Sequence, residues 1–336
     1  MTITTAATGR RPVRRVTRMV LLTLLVLPGL VWAVVRLFGW ERGAAIPVFA
    51  FTPYVAAWAW VPVAVACWAR RWLIAAAAAI AALMLAGCVL PRALPDSDRG
   101  PTTGIPLTVM TVNMFVGAAD PAAVVQLVRD NDVAVLAVQE FTTQAKEGLT
   151  AAGLDRLLPF HALADEWGGT GSGLYSRVPM TATGSNRGGG GGLQEGNLQA
   201  YGTIQPPGAG PLAVQSAHVL APAAIAALGD WRADLDAEPR ADADGMPRIL
   251  LGDFNATLDH GAVRDLIDSG YRDAADADGE GLIGTWGPYA GRPVPPITLD
   301  HILVDKRIGV RGVRVFGITH GDHRAVIASL TVPAAP

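Results

Sequence analysis

The chain has 336 residues, with 27 Lys and Arg against 29 Asp and Glu, but the charge is unevenly placed: the first 91 residues hold nine Arg and one acidic residue, Glu41, and the rest holds 18 basic against 28 acidic residues, a net −10. The acidic body argues against tight nonspecific nucleic-acid binding, which Lys and Arg contacts to phosphates drive, though carboxylates gathered around metal ions would still allow a nuclease. The only cysteines, Cys67 and Cys88, fall in apolar runs, which excludes a disulfide framework and a thiolate zinc site in the body.

In chain order, residues 1–18 form a basic arm with Arg10, Arg11, Arg14, Arg15 and Arg18. Three apolar stretches follow, at 19–38, 44–69 and 72–90, each near the length of a bilayer span. The second contains Pro47, Pro53 and Pro62, which membrane helices tolerate better than soluble ones. The pattern predicts three transmembrane helices. Arg70 and Arg71 lie between the second and third, on the same side as the arm. The positive-inside bias therefore puts the amino terminus in the cytoplasm and, with an odd number of spans, the body outside. The run Leu85-Ala86-Gly87-Cys88 has the look of a lipid-accepting signal, but two spans precede it and it reads as a small-residue helix end.

Residues 91–105 are rich in Pro, Asp, Gly and Thr and read as an exposed linker before a domain at 106–333. Strands are predicted at 107–113 (LTVMTVN), 133–139 (VAVLAVQ), 173–176, 212–218, 248–252 (RILLG), 300–304 (DHILV), 313–318 and 325–332. The continuous apolar run at 133–139 suits a strand covered on both faces. Helices are predicted at 121–131, with Asp120 as N-cap and Pro121 in the first turn, and at 223–238 and 261–269. This mix predicts an α+β or α/β sandwich. The glycine run 188–192 reads as a loop; no Gly-Lys-Ser/Thr follows it, so it is not a P-loop.

Polar residues fall at the strand ends: Asn113, Gln139-Glu140, His218, Asp253 with Asn255, Asp300, and Asp322-His323. Singly each is ordinary; Gly-Asp-Phe-Asn alone fits an Asx-capped turn. Strand ends on one edge of a sandwich converge, however, and the combined chemistry is coherent. Glu140, with Asn113 and Asp322, offers the oxygen ligands that a hard cation such as Mg2+ takes. Asp253 suits activation of a water, His218 and Asn255 suit donation to phosphoryl oxygens, and Asp300 suits orientation of a cationic His323.

The ordered pieces TVN, VQEF, GLYSRVP, SAHV, LLGDFNA, LDHILV and GDHRAV resemble the endonuclease/exonuclease/phosphatase superfamily across residues 105–332. The resemblance implies a four-layered α/β sandwich, two packed mixed β-sheets flanked by helices, here behind about three transmembrane helices. It implies a Mg2+ or Mn2+ cofactor with Asn113, Glu140 and Asp322 on the metal side. It also implies a catalytic set of His218, Asp253, Asn255, Asp300 and His323. Two departures are Gly321, where the family often has Ser before the final Asp-His, and Ala325, where it often has Pro; neither removes a catalytic group. Arg177 matches a structural basic position and Trp286 a packing aromatic, while His161, His260, His301 and His320 match no role and read as surface or packing residues.

The expected function is metal-dependent hydrolysis of a phosphoester, whether lipid, small molecule or nucleic acid, by a multi-pass membrane protein with an extracytoplasmic domain and no evident protein partner. The alternatives are an extracellular Mg2+-dependent endonuclease and, from a different class, a catalytically inactive membrane-tethered binding module. The complete polar set weighs against the last.

Overall fold

The computed structural model describes residues 10–189, 195–288 and 293–335; residues 1–9 of the predicted basic arm and 190–192 of the predicted glycine loop lie outside them. The chain forms two compact units, Met1–Trp40 with Phe51–Leu90, and Glu41–Ala50 with Pro91–Pro336.

The first unit is helical. It comprises α1 (Arg10–Phe38), α3 (Thr52–Trp58), α4 (Trp60–Trp68) and α5 (Trp72–Val89). Their contact is built on Ala33, Ala56, Ala59, Ala82 and Leu85, with Trp32 beside them; small side chains let helices approach closely. Among the described residues two helices are long and apolar enough to cross a membrane, Val16–Phe38 and Trp72–Ala93, while Thr52–Trp68 is a shorter apolar pair. The predicted span at 44–69 is therefore not one helix. Pro53 opens α3 rather than continuing a helix into it, and the part before it forms the short α2 (Ala45–Phe49), which belongs to the second unit.

The second unit is built on two six-stranded mixed sheets. One runs β11-β12-β1-β2-β4-β3, the other β5-β6-β7-β8-β10-β9. The strands are β1 (Ile105–Asn113), β2 (Val135–Gln139), β3 (Phe160–Ala164), β4 (Ser172–Ser176), β5 (Met180–Arg187), β6 (Leu198–Ile204), β7 (Leu212–His218), β8 (Arg248–Asp253), β9 (Tyr271–Asp273), β10 (Asp300–Asp305), β11 (Gly309–Gly317) and β12 (Arg324–Val332). Alternation along each central strand sorts side chains between two apolar layers. Val109, Val135, Ala137, Ile249, Leu251, Ile302 and Val304 meet between the sheets. Met110, Val112, Leu136 and Val138 face outward beneath α6 (Pro121–Asp130), α7 (Thr143–Ala151) and α8 (Leu154–Leu157). On the far side Leu250 and Leu303 lie under α9 (Leu228–Ala237) and α10 (Gly261–Asp268), where Ile46 of α2 joins them. A last short helix, α11 (Ala274–Asp278), follows β9. The result is the helix–sheet–sheet–helix layering expected of the body.

Register sets the site. In the parallel pair β1/β2, Asn113 lies opposite Gln139; in the parallel pair β7/β8, His218 lies opposite Asp253. Asp300 opens β10 opposite Asp253 in an antiparallel pair. Five strands, β1, β2, β7, β8 and β10, thus end or begin on one edge. Near that edge the inter-sheet layer turns polar: Thr111 donates to Gln139 Oε1 at 3.0 Å, and Gln139 Nε2 donates to Ser216 across the sheets at 3.0 Å, which fixes how the two strand-end clusters face each other. The stretch read as an exposed linker is exposed over most of its length but not at Arg92, which is buried.

Candidate active site

Asp253 is the centre of the strand-end cluster. It is 1% exposed, and its carboxylate is held on three sides. Asn113 Nδ2 donates to Oδ2 at 3.0 Å, the Asn255 amide donates to Oδ1 at 2.8 Å, and His323 Nε2 lies 3.7 Å from Oδ2. The same Asn113 Nδ2 donates to Glu140 Oε1 at 3.0 Å, while its Oδ1 accepts from the Phe115 amide. Glu140 Oε2 accepts from the Val116 amide at 2.6 Å. On the other flank, His323 Nδ1 lies 2.8 Å from Asp300 Oδ2. All eight residues expected at the site therefore lie on this edge; Asp322, beside His323, accepts from Trp286 Nε1 at 3.3 Å.

Charge follows from burial and neighbours. Burial opposes charge on His323, but the Asp300 and Asp253 carboxylates outweigh it and hold the imidazole up at about 10. Burial, with Asp300 adding to it, pushes Asp253 up to about 7 against the pull of His323 and its hydrogen bonds. Burial and the charge of His323 press His218 down to about 3, so it is a neutral imidazole; its Nδ1 is buried with no partner among the described residues. Burial raises Glu140, and Asp322 pushes the same way, while Asn113, the Val116 amide and His323 oppose them.

Two groupings offer themselves to a cation. Asp253, Asp300 and His323 present atoms within 4.8 Å of one another, but an imidazolium has no lone pair to give, so this trio reads as a charged hydrogen-bonded relay. Glu140 and Asp322 fit better. They are close enough for Asp322 to raise Glu140, and Asp322 Oδ1 is buried with no partner among the described residues. A hard cation there would supply the partner that Asp322 Oδ1 lacks and offset the charge of both carboxylates.

Several features of the site carry no sequence signal. Glu140, Asn255, Phe115 and Val116 all have positive φ, between 46° and 52°, a conformation that non-glycine residues hold only when their surroundings fix it. Thr285 Oγ1 accepts from the Leu299 and Asp300 amides and so anchors Asp300. Trp286 likewise holds Asp322 rather than only packing. His260 and His301 are buried rather than surface residues: His301 lies 2.7 Å from Asp273 and 2.9 Å from the Ala256 carbonyl. Arg177 bonds Asp132 and the Val133 carbonyl away from the site, as a structural role requires.

A model of the Endonuclease/Exonuclease/phosphatase family matches residues 110–323. No curated protein sequence matches the chain. Among solved structures, an endonuclease/exonuclease/phosphatase from Beutenbergia cavernae DSM 12333 is similar with a TM-score of 0.54 and 18% identity, covering 69% of this chain and 72% of that one. Truncated Caenorhabditis elegans TDP2 is similar at 0.53 and 14%, covering 68% and 98%. The D. rerio TDP2 complexed with single strand DNA product is similar at 0.54 and 15%, covering 68% and 99%. At these identities the structures speak for the fold.

Proposed function

The chain belongs to the Endonuclease/Exonuclease/phosphatase family, and on that premise we propose that its body hydrolyses a phosphoester with a water activated at Asp253. Enzymes of the family act on phosphoesters with a divalent metal. The observation that carries the proposal is the single network in which Asn113 Nδ2 bonds both Glu140 and Asp253 at 3.0 Å, while Asp253 faces His323 at 3.7 Å. Metal-side carboxylate, base and cation are thereby fixed relative to one another.

Glu140 and Asp322 would hold the cation, with Asn113 setting the Glu140 carboxylate. Once bound, a divalent cation polarises a phosphoryl oxygen and stabilises the charge that develops on it. Asp253 takes a proton from the attacking water, its orientation fixed by Asn113 and by the Asn255 amide. The Asn255 side chain and neutral His218 donate hydrogen bonds to the phosphoryl oxygens, and His323, held as an imidazolium by Asp300, offsets their charge. None of these groups reads what is esterified to the phosphate. The net −10 of the body favours a lipid or small phosphoester over nucleic acid.

The proposal also places the protein. Glu41–Ala50 and Pro91–Pro336 form one compact unit, and Glu41 comes soon after α1, which ends at Phe38. Whichever side α1 delivers the chain to is thus the side of the body, and the residues from 51 to 90 must return to that side. A cytoplasmic position for Arg70-Arg71 requires Thr52–Trp68 to cross as well. With the Arg10–Arg18 arm and Arg70-Arg71 on the cytoplasmic side, the body is extracytoplasmic.

The deciding experiment assays the purified full chain with Mg2+ or Mn2+ against sphingomyelin, phosphoinositides, plasmid DNA, RNA and bis-p-nitrophenyl phosphate. Turnover of a lipid or small phosphoester above the nucleic acids is expected. Preferential cleavage of DNA or RNA would make the chain an endonuclease, and turnover of none of them would leave the binding-module reading.

A further inference from the structure

Three contacts converge on residues 259–261, and each comes from chain that borders the apolar segment 51–90. Asp259 receives both terminal nitrogens of Arg92, at 2.9 and 2.7 Å, and the two side chains are 0% and 7% exposed. His260 accepts from the Thr257 amide at Nδ1 and donates from Nε2 to the Ile46 carbonyl, each at 2.9 Å. The Gly261 amide donates to Glu41 Oε1 at 2.6 Å. Gly261 opens α10, whose N-cap His260 gives no side-chain cap. Glu41, 5% exposed, therefore caps that helix from across the sequence, where a carboxylate also meets the positive end of the helix dipole. Ile46 packs beneath, against Trp231, Leu258, Ala262 and Val263.

The segment gripped in this way is the one that leaves the site. It runs from Asp253 at the end of β8, through Asn255 at φ 46°, to the first turn of α10. At its near end Asp253 and Asn255 bond each other and Asn255 Nδ2 bonds the Val219 carbonyl at 2.9 Å; His301 holds the Ala256 carbonyl midway. A left-handed Asn persists when both ends of its loop are fixed, and the far end is fixed by Glu41, Ile46 and Arg92 together with Arg264, whose Nη1 donates to the Asp259 carbonyl at 2.7 Å.

We propose that Arg92 and Glu41 are positioning residues for the proposed hydrolysis: the juxtamembrane clasp on residues 259–261 holds the Asp253–Asn255 loop in its reactive geometry, so turnover depends on segments outside the sandwich. The proposal rests on the phosphoesterase reading above. Loss of the clasp leaves the strands and their carboxylates in place but loosens the loop, and a displacement near 1 Å costs about a hundredfold in rate.

The test uses the full chain in detergent with bis-p-nitrophenyl phosphate, comparing wild type with Glu41→Ala, Glu41→Gln and the pair Arg92→Met with Asp259→Leu. The pair removes both buried charges together, so neither is stranded. The expected result is kcat lower by about tenfold to a hundredfold in Glu41→Ala and in the pair, with KM unchanged, and recovery in Glu41→Gln, whose amide oxygen still accepts from Gly261. In metal-free protein, amides 254–261 should exchange hydrogen faster in the impaired variants while those of β1 and β2 do not. An active wild type whose variants keep kcat, whatever their melting temperature, overturns the positioning role alone. A wild type without activity overturns the functional reading and the positioning role with it, and an exchange increase spread evenly over the sheets shows general destabilisation and also overturns the clasp.

Discussion

Asp253 shows how much of the chemistry depends on neighbours. The same residue in water would be an ordinary carboxylate; here burial and Asp300 push it up to about 7, and the charge on His323 pulls it back. Asp253→Asn removes the base and leaves one oxygen to accept where the carboxylate accepts from both Asn113 Nδ2 and the Asn255 amide, and should lower kcat about a thousandfold or more in a phosphodiesterase assay. Trp286→Phe removes the Nε1 bond to Asp322 and should weaken metal binding about tenfold, read by calorimetric titration of Mn2+; unchanged affinity would remove Asp322 from the metal side. These two residues also mark what sequence can convey. Asp253 announces itself because it ends an apolar strand. Trp286 and Thr285 act through a loop that meets Asp322 and Asp300 only after folding, and no local pattern carries that approach.

At the level of elements, strands with alternating apolar faces were legible and those without were not. β1, β2, β7 and β8 carry inward and outward apolar sets, whereas β5 is exposed or half-buried along its whole length and offers no periodicity. Gly252, before Asp253, is explained by spacing: a Cβ there would run into the backbone of Ala217 on the parallel neighbour β7. Gly252→Ala should cost on the order of 1–3 kcal/mol or more, measured by thermal unfolding. At the end of α9, Glu238 accepts from Gln199 at 2.7 Å and from Gln215 at 3.2 Å, and burial, with Asp234 adding to it, raises it from 4.5 to about 8. The folded state then holds a proton that the unfolded chain has released, so this group's contribution to stability falls as pH rises from about 4.5 to about 8. Glu238→Gln should flatten that decline and make the protein more stable than wild type at pH above the upper limit; an unchanged stability–pH curve would show Glu238 to be ionised in the fold.

For the whole molecule, a basic apolar head precedes an acidic body, and residues 44–50 of the predicted second span belong to the compact unit of the body. Apolar composition alone assigned 44–50 to a span, because a buried segment of a soluble core and a membrane segment share that composition. Packing of Ile46 among Trp231 and Val263 resolves it. Reporter fusions after Arg71 and after Val116 should read inside and outside respectively; the reverse pair would invert the placement of the body. The claim that matters most is that one connected set of side chains forms a metal-dependent phosphoesterase. Its most direct measurement is turnover of bis-p-nitrophenyl phosphate by the full-length wild type and by Asp253→Asn, at Mn2+ concentrations shown by titration to load both equally. The account predicts metal-dependent turnover in the wild type and its near-complete loss in the variant; equal rates in the two, or turnover indifferent to the metal, would contradict it.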